Sequence, residues 1–286
     1  MGDVHVKTKA RTKSNLGKLL MTLLVSVLGI LMLLPFLWMV SASLKQPNEV
    51  FQFPIRWIPA HLQFTNYKEV WLNKYYPFSL FFFNSLKVTA ITIIGTLLVS
   101  AAAAYAFAKI EFRWKNAIFL VYLTTLMIPH QVTLVPRFIL FHWLGVYDTH
   151  WTLILPGMFN IIGIFLLRQF FMGIPKDFSE SAFIDGARHA TIFWRIVIPL
   201  ATPGFVSLII LSFVWNWNNY MDPLIFLTSK QLYTIPVGLQ TLLDQEGIRT
   251  NLVMAGATCS VLPIMIVFLL FQKHFIQGIA SSGIKG

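Results

Sequence analysis

Read for intervals free of Asp, Glu, Lys and Arg, the chain contains six long apolar stretches: Leu19 to Leu44, Val88 to Ala108, Asn116 to Pro136, Thr149 to Leu167, Ile196 to Met221 and Thr250 to Gln272. About 20 helical residues cross roughly 30 Å of hydrocarbon, so each stretch is long enough to span a bilayer. The second can begin before Lys87, near Phe78. The runs are continuously apolar and lack the period-2 alternation of outer-membrane strands, which predicts helices. The expected fold is an all-α membrane protein of six transmembrane helices. The first stretch follows Lys7, Lys9, Arg11, Lys13 and Lys18, as a secretion leader would, but it is too long and no small-residue cleavage site precedes Pro35 and Trp38. It is expected to be retained.

Composition agrees with lipid as the main solvent. Of 286 residues 56% are apolar and 12% charged, against about 25% charged in a soluble domain. Lys and Arg number 22 against 11 Asp and Glu. With the N-terminus on the cytoplasmic side, the inner segments carry five basic residues in the tail, three in Lys109 to Lys115, four in Arg168 to Arg195 and two beyond Gln272. The outer segments carry half as many. This asymmetry predicts cytoplasmic N- and C-termini and makes the basic excess a topology signal, with no nucleic acid partner. The lone Cys259 lies in an apolar stretch and reads as a small buried hydrophobe.

Several chemistries are missing. None of the six stretches holds a carboxylate, which argues against proton- or sodium-coupled transport, and none has the repeated Arg of a voltage sensor. The seven histidines show no metal-ligand spacing, so no metal site is expected. His130, beside Pro129, fits either a neutral imidazole bonded to a neighbouring helix or a pathway residue. The nearest approach to a phosphate loop, Gly278 to Lys285, has Ile284 between its second glycine and its lysine and no helix to follow. No catalytic residue or ATPase site is predicted, and the energy for any transport must come from elsewhere.

The longest inner connection, residues 168–202, reads as two short helices. Pro175 can open the first, Asp177 and Glu180 suit its opening turns, and Gly186 can end it in a left-handed conformation. Thr191 is a plausible N-cap for the second, limited by Pro199. Phe178, Phe183, Ile192, Phe193 and Ile196 offer apolar anchors, and a short helix of this kind can dock in a groove of a soluble partner.

Glu180, Ser181, Ala182, Gly186, Ile196 and Pro199 fall at the spacings of E-A-A, three residues, Gly, nine residues, I-x-L-P. The segment therefore resembles the Glu-Ala-Ala loop of binding-protein-dependent ABC importer permeases, with Ser181 for Ala and Ile198 for Leu as mild departures. Phe83 to Leu86, Tyr105 to Lys109, Met127 to Pro129 and Trp215 to Asn219 extend the likeness to the carbohydrate-uptake branch, similar to the six-span partner of the maltose-type permease pair. The resemblance covers the chain from about Leu16 onward. It implies a transmembrane domain over 19–277 between a basic tail, 1–18, and a glycine-rich tail, 278–286. It also implies a second permease subunit, two ABC ATPase subunits that use ATP and Mg, and an extracytoplasmic binding protein that delivers a sugar. This chain itself would bind no cofactor. In such systems the loop over 176–199 seats in a cleft of the ATPase, which makes Glu180, Ser181, Ala182, Asp185, Gly186, Ile196 and Pro199 the expected coupling residues. A glycerol-phosphate importer is the alternative within the mechanism, and a secondary transporter or membrane scaffold the alternative outside it.

Asn216, Trp217, Asn218, Asn219 and Tyr220 close the fifth stretch. Aromatic faces stack on sugar rings and amides bond hydroxyls, so the cluster suits a carbohydrate pathway. An interfacial aromatic belt with interhelical amide bonds fits it equally well. The outer segment 222–249, with Gln231, Tyr233, Gln240 and Gln245, is a candidate surface for the binding protein. The earlier outer segment, with Trp57, Tyr67, Trp71 and Tyr76, is expected to pack on the outer surface or the companion subunit.

Overall fold

The computed structural model describes residues 6–75, 77–245 and 249–283. Among them the helices run α1 Val6–Ser43, α2 Thr65–Leu72, α3 Phe78–Lys109, α4 Lys115–Thr124, α5 Leu134–Trp143, α6 Trp151–Met158 and α7 Ile161–Gly173. They continue with α8 Asp177–Ile184, α9 His189–Ile192, α10 Ile198–Leu200, α11 Thr202–Trp217, α12 Met221–Phe226, α13 Ile235–Gln245 and α14 Thr250–Gly283. No strand forms among the described residues. Tyr76 and residues 284–286 of the glycine-rich tail lie outside them, as do the side chains of Gln245 and of the basic positions before Leu16.

Four spans are long, apolar and unbroken by any sharp bend: Leu16–Ser43, Phe78–Lys109, Trp151–Gly173 and Thr250–Lys273. The other two expected spans are broken. Lys115–Met127 and His130–Trp143 meet at 92°, and His189–Leu200 and Thr202–Trp217 at 75°. Proline accounts for both breaks. Pro129 disfavours a helical Ile128, which is extended at φ −79°, ψ 114°. Pro203 has no amide proton to give and its ring would press on the Pro199 carbonyl, so the helix stops at Ala201 and restarts. A count of charge-free residues cannot see either corner.

The chain divides into two units, Met1–Val70 with Glu246–Thr258 and Trp71–Gln245 with Cys259–Gly286. In the first, Asn66 is the hub. Its amide donates to the carbonyls of Ser43 and Lys45, each at 2.9 Å, and its oxygen accepts from Asn251 at 3.0 Å. Glu69 and Arg249 form an ion pair at 2.6 Å. Lys45 is buried, donates to the Arg56 carbonyl and lies 4.1 Å from the Trp38 ring centroid; burial lowers its pKa, against the raising influence of Glu49. Trp57 packs edge-on to Trp38, and the Tyr67 hydroxyl lies 2.7 Å from Ser43 Oγ. These two aromatics, expected to face outward or toward a companion, therefore find partners within the chain.

The second unit is organised around α3, which packs against α6, α7, α11 and α13. Between helices in lipid there is little hydrophobic drive, so close van der Waals packing and polar bonds must hold them. Small residues permit the approach: Ala101 and Ala104 are buried against Leu167, Phe171 and Leu208. At Gly157 an added Cβ would come within 2.4 Å of Thr92 Cγ2, while the Gly157 carbonyl accepts from Thr96 Oγ1 at 2.9 Å. Gly157→Ala should thus wedge α6 from α3 at a cost of about 1–3 kcal/mol. Thermal unfolding of the purified protein in detergent checks this, with a lower midpoint expected.

Candidate functional site

The 168–202 connection forms a helix, a tight turn and a second helix. Asp177 and Glu180 lie in the first turn of α8, where carboxylates meet the positive end of the helix dipole. At its far end Gly186 has φ +80°. Its amide bonds the Phe183 carbonyl at 3.0 Å, and Ala187 N bonds the Ala182 carbonyl at 2.9 Å. This is a Schellman cap, which needs a left-handed residue at Gly186. The next helical segment begins at His189 after an extended Arg188. Thr191 is therefore inside the helix and is no N-cap, because the tight cap leaves only Arg188 to connect the two. The segment includes a π turn over Phe193–Val197 and continues to Leu200, so Pro199 occupies its last turn.

Side chains fasten this connection to the C-terminal end of α3. The Tyr105 hydroxyl and His189 Nδ1 share a hydrogen bond at 3.1 Å, and Phe193 packs edge-on to Tyr105 with ring centroids 5.2 Å apart. Lys109 Nζ donates to the Ile174 carbonyl at 2.8 Å, and Arg168 lies over the Phe119 ring at 4.2 Å. Ala182, Ala187 and Ile196 pack on the buried core. Glu180, Ser181, Asp185, Gly186 and Pro199 are exposed, as are Phe178 and Phe183, and Ile184 is 86% exposed. The expected coupling residues thus divide into an inward-packed set and an outward-facing set.

The residues that close α11 also divide. Trp217 is 2% exposed, stacks on Phe213 and donates Nε1 to the Ser260 carbonyl at 2.9 Å. Asn218 is exposed and bonds back to the Val214 carbonyl at 2.9 Å, and Tyr220 is exposed. Asn216 and Asn219 line one cleft together. Asn219 in turn bonds Asp222, donating Nδ2 to Oδ2 at 3.0 Å.

A family model described as "binding-protein-dependent transport system inner membrane component" matches residues 95–281, which include the 168–202 connection and the end of α11. The chain belongs to this family. It is 36% identical to the probable ABC transporter permease protein YurM of Bacillus subtilis, over 99% of this chain and 94% of that protein. Identity is 35% to the arabinooligosaccharides transport system permease protein AraQ of the same organism, over 94% of this chain and 96% of the relative. It is 33% to the sn-glycerol-3-phosphate transport system permease protein UgpE of Yersinia enterocolitica, over 90% and 94%. The fold is shared with a chain of a bacterial ABC transporter involved in the import of alginate, with TM-score 0.80 and 22% identity over 96% of this chain and 100% of that one. The protein is thus a multi-pass inner-membrane transport component of the binding-protein-dependent type.

One cluster in this permease was invisible in the apolar pattern. Asp222, just beyond the fifth apolar stretch, is buried and accepts from Arg137 at 2.5 Å, and His130 Nε2 lies 3.6 Å from its other oxygen. Arg137 also lies 5.1 Å from the Phe226 ring centroid. His130 therefore faces a carboxylate on another helix. A second carboxylate, Asp148 at φ +52°, accepts from Thr228 N at 2.8 Å, Ser229 N at 3.0 Å and Ser229 Oγ. Burial pushes the Asp148 carboxyl up, but these hydrogen bonds together outweigh it and hold its pKa below the ordinary value. Removing one partner of a buried ion pair strands the other charge, so Arg137→Met should destabilise the permease by about 3 kcal/mol. In the double variant with Asp222→Asn most of that loss should return, as read from the unfolding midpoint in detergent.

Proposed function

We propose that this permease is one transmembrane subunit of an ATP-driven importer of a neutral carbohydrate. In this reading its N- and C-termini are cytoplasmic, residues 19–277 form the transmembrane domain, and the flanking tails 1–18 and 278–286 lie on the inner side. The Lys and Arg asymmetry supports that orientation. A second permease subunit completes the pathway, two ABC ATPase subunits supply ATP and Mg chemistry, and a binding protein delivers the sugar. The chain contributes no hydrolytic site of its own. The observation that carries the reading is α8, a capped helix whose exposed Phe178, Phe183 and Ile184 are offered outward while its base is fastened to α3. Such a helix can seat in an ATPase cleft and pass rigid-body motion to the spans.

Glu180, Ser181 and Asp185 form the polar part of the proposed joint, and Gly186 sets the angle at which α8 leaves it. Ala182, Ile196 and Pro199 hold the element to, or continue it toward, the spans. The relatives include permeases for arabinooligosaccharides and for sn-glycerol-3-phosphate. A neutral sugar is favoured here because Arg137 is already committed to Asp222 and no charged residue lines the cleft of Asn216 and Asn219. Trp217 serves packing in this conformation, which leaves Asn216, Asn218, Asn219 and Tyr220 as the pathway candidates. The isolation of α1 also supports a companion subunit, because none of its apolar window is buried within the chain.

The coupling role is tested in proteoliposomes holding the complete transporter. Glu180→Lys should abolish saccharide uptake and stimulation of ATP hydrolysis by the loaded binding protein, while the chain remains inserted. Gly186→Val, which forces a β-branched residue to positive φ, should do the same. Normal uptake in both variants would contradict docking through α8.

A further inference from the structure

The cleft between α3, α6 and the connection from α11 to α12 is lined by five polar residues: Ser85, Thr89, Asn216, Asn219 and Thr234. Val88, Leu153 and Pro223 complete its wall, and none of its residues is charged. It encloses about 240 Å³ including its open mouth, and its narrow interior has the dimensions of about one water molecule. The interior thus offers only uncharged donors and acceptors and has room for about one hydroxyl.

Several hydrogen-bonding positions of the lining are already committed. Asn219 exchanges bonds with Asp222 in both directions, its Oδ1 accepting from Asp222 N at 3.3 Å and its Nδ2 donating to the carboxylate. Asn216 Nδ2 donates to the Ser212 carbonyl at 2.7 Å, which leaves its amide oxygen as an acceptor. Ser85 Oγ accepts from Ile235 N at 2.8 Å and retains its proton to donate. Thr234 is 5% exposed, and its Oγ1 has no hydrogen-bond partner among the described residues. An unpaired buried hydroxyl costs about 1–3 kcal/mol. A binding role compensates for that cost, because a hydroxyl both donates and accepts.

Position agrees with this chemistry. Ser85 and Thr89 lie about two turns and about one turn, respectively, before the middle of the 32-residue α3, facing other helices and not the hydrocarbon. Their depth puts the cleft within the membrane-spanning part of the chain, where polar side chains are retained for function. We propose that this cleft is a hydroxyl-recognition subsite, in which one hydroxyl of the passing sugar exchanges with water and is bonded by Thr234, Ser85 and the Asn216 amide oxygen. Thr89 shapes the site from α3, and Asn219 is a positioning residue held by Asp222. The inference rests on the carbohydrate reading. It adds Ser85, Thr89 and Thr234 to the pathway and explains why Asn216 and Asn219 belong to it.

The test uses proteoliposomes with the companion permease, the ATPases and the binding protein. A panel of neutral mono- to pentasaccharides is supplied, with sn-glycerol-3-phosphate as a separate arm. Thr234→Val removes the hydroxyl with little change of shape and should lower the number of saccharides moved per ATP about tenfold, the factor that corresponds to about one hydrogen bond. Thr234→Ser should restore it, and Thr89→Val gives a second variant if Thr234→Val fails to insert. Unaltered saccharide uptake per ATP in Thr234→Val would overturn the subsite while leaving the carbohydrate reading intact. Wild-type uptake confined to sn-glycerol-3-phosphate would overturn both.

Discussion

A helix in hydrocarbon keeps its backbone hydrogen bonds to itself, so the connections between spans must be fastened by side chains. In the larger unit α3 supplies those fastenings at both ends. Near its N-terminus Asn84 donates to the carbonyls of Gln231 and Tyr233, at 2.7 and 3.0 Å, and Ser85 accepts from Ile235 N. Near its C-terminus Tyr105 and Lys109 hold the two halves of the 168–202 connection. Between them Ala101 and Ala104 let α7 approach closely enough for Phe171 to be fully buried. One element therefore holds the proposed ATPase joint and the proposed solute cleft in fixed relation. Displacement at one end must move the other unless α3 bends.

The polar groups of this unit are distributed as lipid requires. Asp222 is neutralised by Arg137, and Asp148 is satisfied by three donors from residues 228 and 229. The segment that follows is held by His150 as well, whose Nε2 lies 2.9 Å from the Leu232 carbonyl. The segment that carries Gln231 and Tyr233, a candidate surface for the binding protein, is also a folded connection, with the carbonyls of both residues turned to α3. Thr234 Oγ1 is one of several buried side-chain atoms without a partner among the described residues, with Thr92, Ser100 and Ser212 in the same unit, and of these it is the one that lines the cleft.

Much of this was legible in the chain. Charge-free runs located the spans, and the spacing from Glu180 through Gly186 to Pro199 located the connection that α8 now occupies. Gly186 was readable because only a left-handed residue caps such a helix, and φ is indeed positive there. Other features were not readable, for physical reasons. Pro129 and Pro203 break two spans at 92° and 75°, although no Asp, Glu, Lys or Arg marks either corner. Arg137 and Asp222 are 85 positions apart, and each taken alone reads as an ordinary charge at a span edge. Trp217 resembles its neighbours in sequence, yet helical rotation buries it against Phe82 and Phe213 while Asn218 stays exposed.

The central claim is mechanical: α8 and the C-terminal half of α3 move as one body during transport. It is tested by spin-label distances within this chain in the assembled transporter, with labels at Ile184→Cys and Ala102→Cys and the buried Cys259 replaced by Ser. Comparison of the nucleotide-free complex with the ATP-bound, binding-protein-engaged complex should show a mean distance unchanged within about 2 Å, the scale of small helix shifts. A change of about 5 Å or more, one helical turn, would contradict a rigid joint at Tyr105, His189 and Lys109.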